Sequence, residues 1–295
     1  MKYTTGTAFR RALEDRLHTL SLQSHLPLVR LRKLVAFDRW LARLLVDMPE
    51  RWLLKGGLAL QLRLGERART TQDIDLLLLG QLTDLQQTLA RAAAIDLGDW
   101  FEFDVATPSA PAEPGGGTRF LVTSRLDSRA FERFHADVGM GDPVVEPANR
   151  ISTPPLLDFA GLPPTQVNCY PLSQQIAEKV HAYTRPHQHG ESSRVKDLAD
   201  ILLMAELGPL SGDHLTEALA ATFTARAIHP LPAMLPPPPA SWGVAYRKLA
   251  AELRLGYSTL AEAFQAVGTF LNPVCSKQRK ARAGNPPVGS GAERV

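Results

Sequence analysis

The chain has 295 residues, 44% of them hydrophobic and 21% charged, with a formal net charge of +3, enough for one large domain or two modest ones, each with a core. No run approaches the roughly eighteen apolar residues of a membrane span, and the opening residues scatter charge without an apolar centre, so neither a bilayer segment nor a secretory leader is expected. So small a net charge does not by itself announce a nucleic-acid binder, and Cys169 and Cys275 lie too far apart in sequence for a metal-ligand spacing, so free thiols in a cytoplasmic protein are expected.

Helices are expected over 7–24 and 28–47. In the second, Leu31, Leu34, Val35, Leu41, Leu44 and Leu45 recur at helical spacing. Between them Arg30, Arg32, Lys33, Arg39 and Arg43 form a basic cluster, either a solvated face or a surface that tracks RNA. Pro49 stops the helix. Arg51 to Lys55 reads as a short strand running into Gly56-Gly57, with a short helix over 58–64. The stretch Asp73 to Leu79 alternates only at its start and is then apolar on both faces, as a central, doubly covered strand would be. A helix over 81–95, a strand over 100–106, a Pro/Gly-rich loop over 107–117, and strands over 118–126 and 131–138 complete a mixed α/β unit.

Beyond the proline-rich connection 153–164 the pattern turns helical, over 172–185, 194–207, 211–226, 242–254 and 258–271, with a stiff polyproline-like link from Pro230 to Pro239. The expected organisation is therefore N-terminal helices (1–50), an α/β core (51–150), a helical domain (165–271) and a disordered basic tail (272–295) carrying Lys277, Arg279, Lys280 and Arg282.

The chemistry concentrates where Lys55-Gly56-Gly57 is followed by Asp73-Ile74-Asp75. Side chains alternate along a strand, so Asp73 and Asp75 share a face, where two carboxylates repel and call for a compensating cation. A pair of Mg²⁺ ions suits them, because Mg²⁺ takes oxygen ligands and binds through one or two carboxylates together with substrate phosphates, and two such ions can activate the attacking oxygen and stabilise the leaving one. The glycines let backbone approach a phosphate and open a helix whose first amides favour anions. Lys55 and Arg69 are placed to neutralise a triphosphate. Asp-x-Asp alone also suits a strand-end turn or a surface ion pair; the Gly-Gly turn ahead of it and the apolar strand after it favour a catalytic face. Asp137, in the last strand of the unit, is either a third carboxylate of that face or a strand-end residue before Gly139-Met140-Gly141. In the helical half, Lys179 or Arg194 reads as an inter-helix ion pair with Asp197 or Asp200; alternatively Lys179 serves the nucleotide phosphates and Asp200 the acceptor or the lysine. His187-Gln188-His189 suggests a metal but finds no third ligand.

Four segments in order, KGGLAL, RTTQDIDL, FHADVG and QQIAEKVHAY with RVKDLADI, resemble the AbiEii-type nucleotidyltransferases, toxin halves of type IV toxin–antitoxin pairs that include the MenT-type toxins. The resemblance implies a DNA-polymerase-β-like α/β core with a helical C-terminal half that completes the active-site cleft. It implies Mg²⁺, or Mn²⁺, on Asp73 and Asp75 with Asp137 as a weaker third ligand, nucleotide contacts at Lys55, Gly56, Gly57, Arg69 and Lys179, and an essential late carboxylate at Asp200. It further implies transfer of a nucleotide from a nucleoside triphosphate to an acceptor, the tRNA 3′ end in MenT-type toxins, and a separately encoded antitoxin. Leu58 stands where many nucleotidyltransferases carry serine. Modification of a protein partner, and a binding module without turnover, are the competing expectations.

Overall fold

The computed structural model describes residues 1–108, 117–186 and 194–284, with side chains as far as Lys277. Its strands are β1 (Trp52–Lys55), β2 (Asp73–Leu78), β3 (Phe101–Val105), β4 (Thr118–Leu126), β5 (Arg129–Met140), β6 (Asn149–Ser152) and β7 (Gln166–Cys169). The helices are α1 (Gly6–Ser24), α2 (Leu28–Asp47), α3 (Gly56–Leu64), α4 (Leu85–Ala93), α5 (Leu172–Thr184), α6 (Val195–Ala205), α7 (Gly212–Arg226), α8 (Trp242–Leu253) and α9 (Leu260–Gly284). The chain forms two compact units. One comprises Met1–Asp142 and Pro147–Pro171; the other comprises Pro143–Glu146 and the chain from Leu172 onward.

The first unit is built on one mixed sheet of order β3-β4-β5-β2-β1-β7-β6. Its centre is the strand whose sequence is apolar on both sides. β2 runs antiparallel to β1 and parallel to β5, and Leu76, Leu77 and Leu78 are buried. Period-two alternation sends Ile74, Leu76 and Leu78 into the main core with Trp52, Leu54, Ala136 and Val138, beside residues of α1, α2 and α4. Leu77 goes the other way and packs with Leu53 and Tyr170. Every residue in step with Leu77 therefore lies on the face opposite the main core, and Asp73 and Asp75 are in step with it.

Several boundaries differ from the sequence expectation, each for a local reason. α4 starts at Leu85 rather than 81 because Asp84 accepts the Gln87 N–H at 2.8 Å and caps it. β6 and β7 were not expected at all: they flank the proline-rich connection and pair antiparallel, and β7 adds parallel to β1 through Leu54 and Cys169. The basic cluster on α2 is neither a solvated face nor an RNA surface, for Arg30, Lys33, Arg39 and Arg43 are buried. Arg43 donates to both oxygens of Asp99 (3.0 and 2.7 Å) and to the Phe101 carbonyl, and Arg32 joins Glu14 to Glu132. These cations fasten α2 to the sheet side of its own unit.

In the helical unit, Ala263, Val267, Leu271 and Cys275 are buried at every fourth position of α9. That stripe carries the helix through Pro273 to Gly284, where the sequence suggested an end near 271 and disorder beyond it. Residues 285–295 lie outside the described residues, as does His187-Gln188-His189. Cys169 and Cys275 are free and buried, and burial pushes both thiols up to about 11, so they are inert at neutral pH. Among the described residues no helix is long and apolar enough to cross a membrane.

α5 also buries His181, whose ring lies 4.6 Å from that of His229 and 4.9 Å from that of Phe223. Burial, then the charges of His229, Arg226 and Arg185, lowers its pKa from 6.5 to about 4. Burial and Arg185 lower His229 as well. Between about 6.5 and about 4 the unfolded chain accepts a proton that folded His181 refuses, so stability is full above that window and falls as pH drops through it. We expect thermal melts to be level near neutrality and to lose up to about 3 kcal/mol by pH 4, with a shallower slope in His181→Leu.

Candidate active site

The strand register brings the candidate site residues of the sheet together. Lys55 is opposite Asp75 across β1 and β2, and Asp75 is opposite Asp137 across β2 and β5, with Asp73 opposite His135. Cross-strand partners lie side by side, so the expected neighbour strand does bring Asp137 next to Asp75. On β4, Arg119 is opposite Asp137. Lys55, Asp73, Asp75, His135, Asp137 and Arg119 all alternate with main-core residues and share the face on which Leu77 lies.

The Gly-Gly turn fits against this face. Gly56 opens α3 with φ +63°, a left-handed conformation, and a β-carbon there would fall 1.9 Å from Asp75 Oδ2. Only glycine meets both conditions. A β-carbon on Gly57 would fall 2.9 Å from Thr71 Oγ1 and 3.8 Å from Arg69 Nη2, so hydroxyl and guanidinium both border the open backbone. Thr71 Oγ1 donates to the Asp73 carbonyl at 3.1 Å. Sequence reasoning passed over Thr71 for want of a spacing rule.

Charges around the carboxylates are paired. Lys55 Nζ donates to Asp142 Oδ2 at 2.5 Å and stands 5.7 Å over the Tyr170 ring. His135 Nδ1 is 3.3 Å from Asp73 Oδ1. Arg119 donates through Nε and Nη2 to the two oxygens of Asp137 (2.7 and 2.6 Å), and its Nη2 is 3.5 Å from Asp73 Oδ2. The hydrogen bond to Asp137 outweighs the opposing effect of burial and, with the charges of Asp137, Asp73 and Asp75, holds the Arg119 guanidinium firmly protonated. Asp142, His135 and Arg119 carry no motif in the sequence, and only the register reveals them. Among the described residues no group of three His, Cys, Asp or Glu side chains is placed to hold a metal ion. Asp73 and Asp75 fit a divalent ion by their donor chemistry, since such an ion is commonly held by one or two carboxylates with the rest of its shell from phosphates and water.

In the helical unit, Lys179 on α5 meets Asp197 at 2.8 Å and Asp200 at 2.9 Å, both on α6. The carboxylates are 5% and 1% exposed and the lysine 20%. Burial opposes the ammonium, but Asp200 and Asp197 outweigh it and hold the Lys179 pKa above its ordinary value. Arg194 adds a longer contact to Asp197 at 3.4 Å. The inter-helix ion pair expected as one reading is therefore present.

A mixed sheet presenting Asp-x-Asp beside a Gly-Gly helix start, in a chain with a helical C-terminal half, is the arrangement that the resemblance to nucleotidyltransferases led us to expect. The family described as nucleotidyl transferase AbiEii toxin of type IV toxin–antitoxin systems matches residues 39–268, most of the chain. The chain belongs to this AbiEii nucleotidyltransferase toxin family. Among solved structures it is similar in fold to MenT4, a nucleotidyltransferase toxin of Mycobacterium tuberculosis, at 17% identity and a TM-score of 0.51, covering 86% of this chain and 94% of that one. JHP933 from Helicobacter pylori is 14% identical with a TM-score of 0.44, covering 85% and 96%. No curated protein sequence matches the chain.

Proposed function

We propose that this AbiEii enzyme transfers a nucleotide from a nucleoside triphosphate to the 3′ end of tRNA in the cytoplasm, as the toxin of a type IV pair countered by a separately encoded antitoxin. The observation that carries the reading is the contact of Gly56 with Asp75, which sets a phosphate-accepting turn directly against the carboxylates. Asp73 and Asp75 would hold Mg²⁺, or Mn²⁺, which would neutralise the pair and supply Lewis-acid polarisation of the α-phosphate. Gly56 and Gly57 offer open backbone and the first amides of α3 to the phosphates, with Arg69 beside Gly57 and Lys55 at the end of β1 supplying charge. The acceptor hydroxyl attacks the α-phosphorus and pyrophosphate leaves. The family resemblance of their segments alone assigns Lys179 to the nucleotide and Asp200 to the reaction.

Purified protein incubated with Mg²⁺, tRNA and each labelled nucleoside triphosphate in turn is expected to label RNA at its 3′ end. EDTA and Asp75→Ala should each remove the label. Label on polypeptide instead would mark a protein acceptor, and labelling that survives Asp75→Ala would overturn the metal assignment.

A further inference from the structure

Asp137 sits where a third metal-binding carboxylate would be expected, yet both of its oxygens are engaged elsewhere. Arg119 takes them as a fork, Nε on Oδ1 at 2.7 Å and Nη2 on Oδ2 at 2.6 Å. The same Nη2 reaches to 3.5 Å from Asp73 Oδ2, so the guanidinium spans two carboxylates of the catalytic face. A divalent ion bridging Asp75 and Asp137 would have to form beside this fixed positive charge, and like charges at such range oppose each other strongly. No trio of carboxylates among the described residues suits a metal.

The pair also differs from an ordinary surface ion pair, which contributes little. Arg119 is a direct cross-strand partner of Asp137, which is itself in register with Asp75, so the fork is placed by the sheet rather than by two flexible side chains meeting in solvent. The arginine side chain remains 57% exposed, and among the described residues its Nη1 makes no hydrogen bond. A planar guanidinium held along one edge, with its other edge open beside two carboxylates, has the shape that recognises a phosphate.

We propose that Asp137 is not a metal ligand but the anchor of Arg119, and that Arg119 is a phosphate-binding residue for the triphosphate of the nucleotide. The proposal rests on the metal-dependent reading of Asp73 and Asp75 given above. Asp137 is then a positioning residue that acts only through the arginine.

The test uses the full chain and two probes: Mn²⁺ alone, followed by its electron paramagnetic resonance signal, and inorganic triphosphate in the presence of Mn²⁺, followed by calorimetry. Asp75→Asn is expected to lose Mn²⁺ binding, while Asp137→Asn and Arg119→Gln bind Mn²⁺ as the unaltered chain does. Asp137→Asn and Arg119→Gln should each weaken triphosphate about tenfold, the loss of one charge-assisted contact. Their double variant should be no weaker than Arg119→Gln, because the anchor has nothing left to hold, and Arg119→Lys should recover part of the binding. If Asp137→Asn weakens Mn²⁺ as Asp75→Asn does and Arg119→Gln strengthens it, Asp137 is a third metal ligand and the proposal fails. If neither variant alters triphosphate binding, the pair is a surface ion pair only, and the proposal fails in a different way. Absence of Mn²⁺ binding by the unaltered chain would instead remove the metal reading itself, and this inference with it.

Discussion

Gly56→Ala is expected to cost nucleotidyl transfer as heavily as the loss of Asp75, about a hundredfold or more, while the fold survives. Two independent demands meet at this residue. Its φ of +63° is strained for any residue with a β-carbon, by about 1–2 kcal/mol. The added carbon would also fall 1.9 Å from Asp75 Oδ2, far inside the separation that a non-bonded carbon and oxygen tolerate, so the carboxylate or the start of α3 must move. Either displacement shifts Asp75 relative to the phosphate site by the order of an ångström. Gly57→Ala is the matched control: its φ is ordinary and its new contacts, Thr71 Oγ1 at 2.9 Å and Thr71 Cβ at 3.1 Å, are far less severe and do not involve Asp75. We expect a fall of about tenfold there, the smaller cost of a shift of a few tenths of an ångström at Thr71. Steady-state kinetics with labelled nucleotide measure both, and melting temperatures lowered by only a few degrees would show that the fold is intact. Unchanged kcat/KM in Gly56→Ala would mean that the position of Asp75 is not critical.

That the glycine and the aspartate touch is not visible in a sequence where they stand nineteen positions apart, but much of the route to it is. The apolar run after Asp75 marked β2 as central, and strict alternation put Asp73 and Asp75 on one face. The same alternation in β5 offered Asp137 as a companion. The rest depended on register, which no local pattern specifies. Arg119 looks like any solvated strand arginine until β4 is laid against β5, and Asp142 becomes the partner of Lys55 only once β1 and β5 flank β2. β6 and β7 escaped notice for a related reason. Each has four residues, β6 is largely exposed, and β7 is stabilised by pairing with β1 more than a hundred positions earlier, so neither carries a periodic signal of its own. On α2 the pattern misled. Cations spaced among leucines ordinarily face water, and here they turn inward because Asp99, Glu14 and Glu132 wait for them on other elements.

Lys179→Met is expected to destabilise the helical unit by about 3–5 kcal/mol, the largest loss of stability among these substitutions. The ammonium is shared by Asp197 and Asp200, and removing it leaves two carboxylates, 5% and 1% exposed, facing one another without the charge that compensates both. A fall in activity in this variant would therefore say little about catalysis, because unfolding alone could cause it. The ambiguity is resolved by neutralising the three buried charges. A triple variant, Lys179→Met with Asp197→Asn and Asp200→Asn, leaves only the half-exposed Arg194 charged at the edge of the cluster and should regain most of the stability, as replacement of a buried ion group commonly does. If Lys179 and Asp200 serve the reaction, the triple variant melts near the unaltered chain and still fails to transfer nucleotide. Recovery of transfer together with stability would show that the cluster holds α5 to α6 and does nothing more. The pair of measurements, a denaturant melt and a labelled-nucleotide assay on the same preparations, separates the two roles without assuming either.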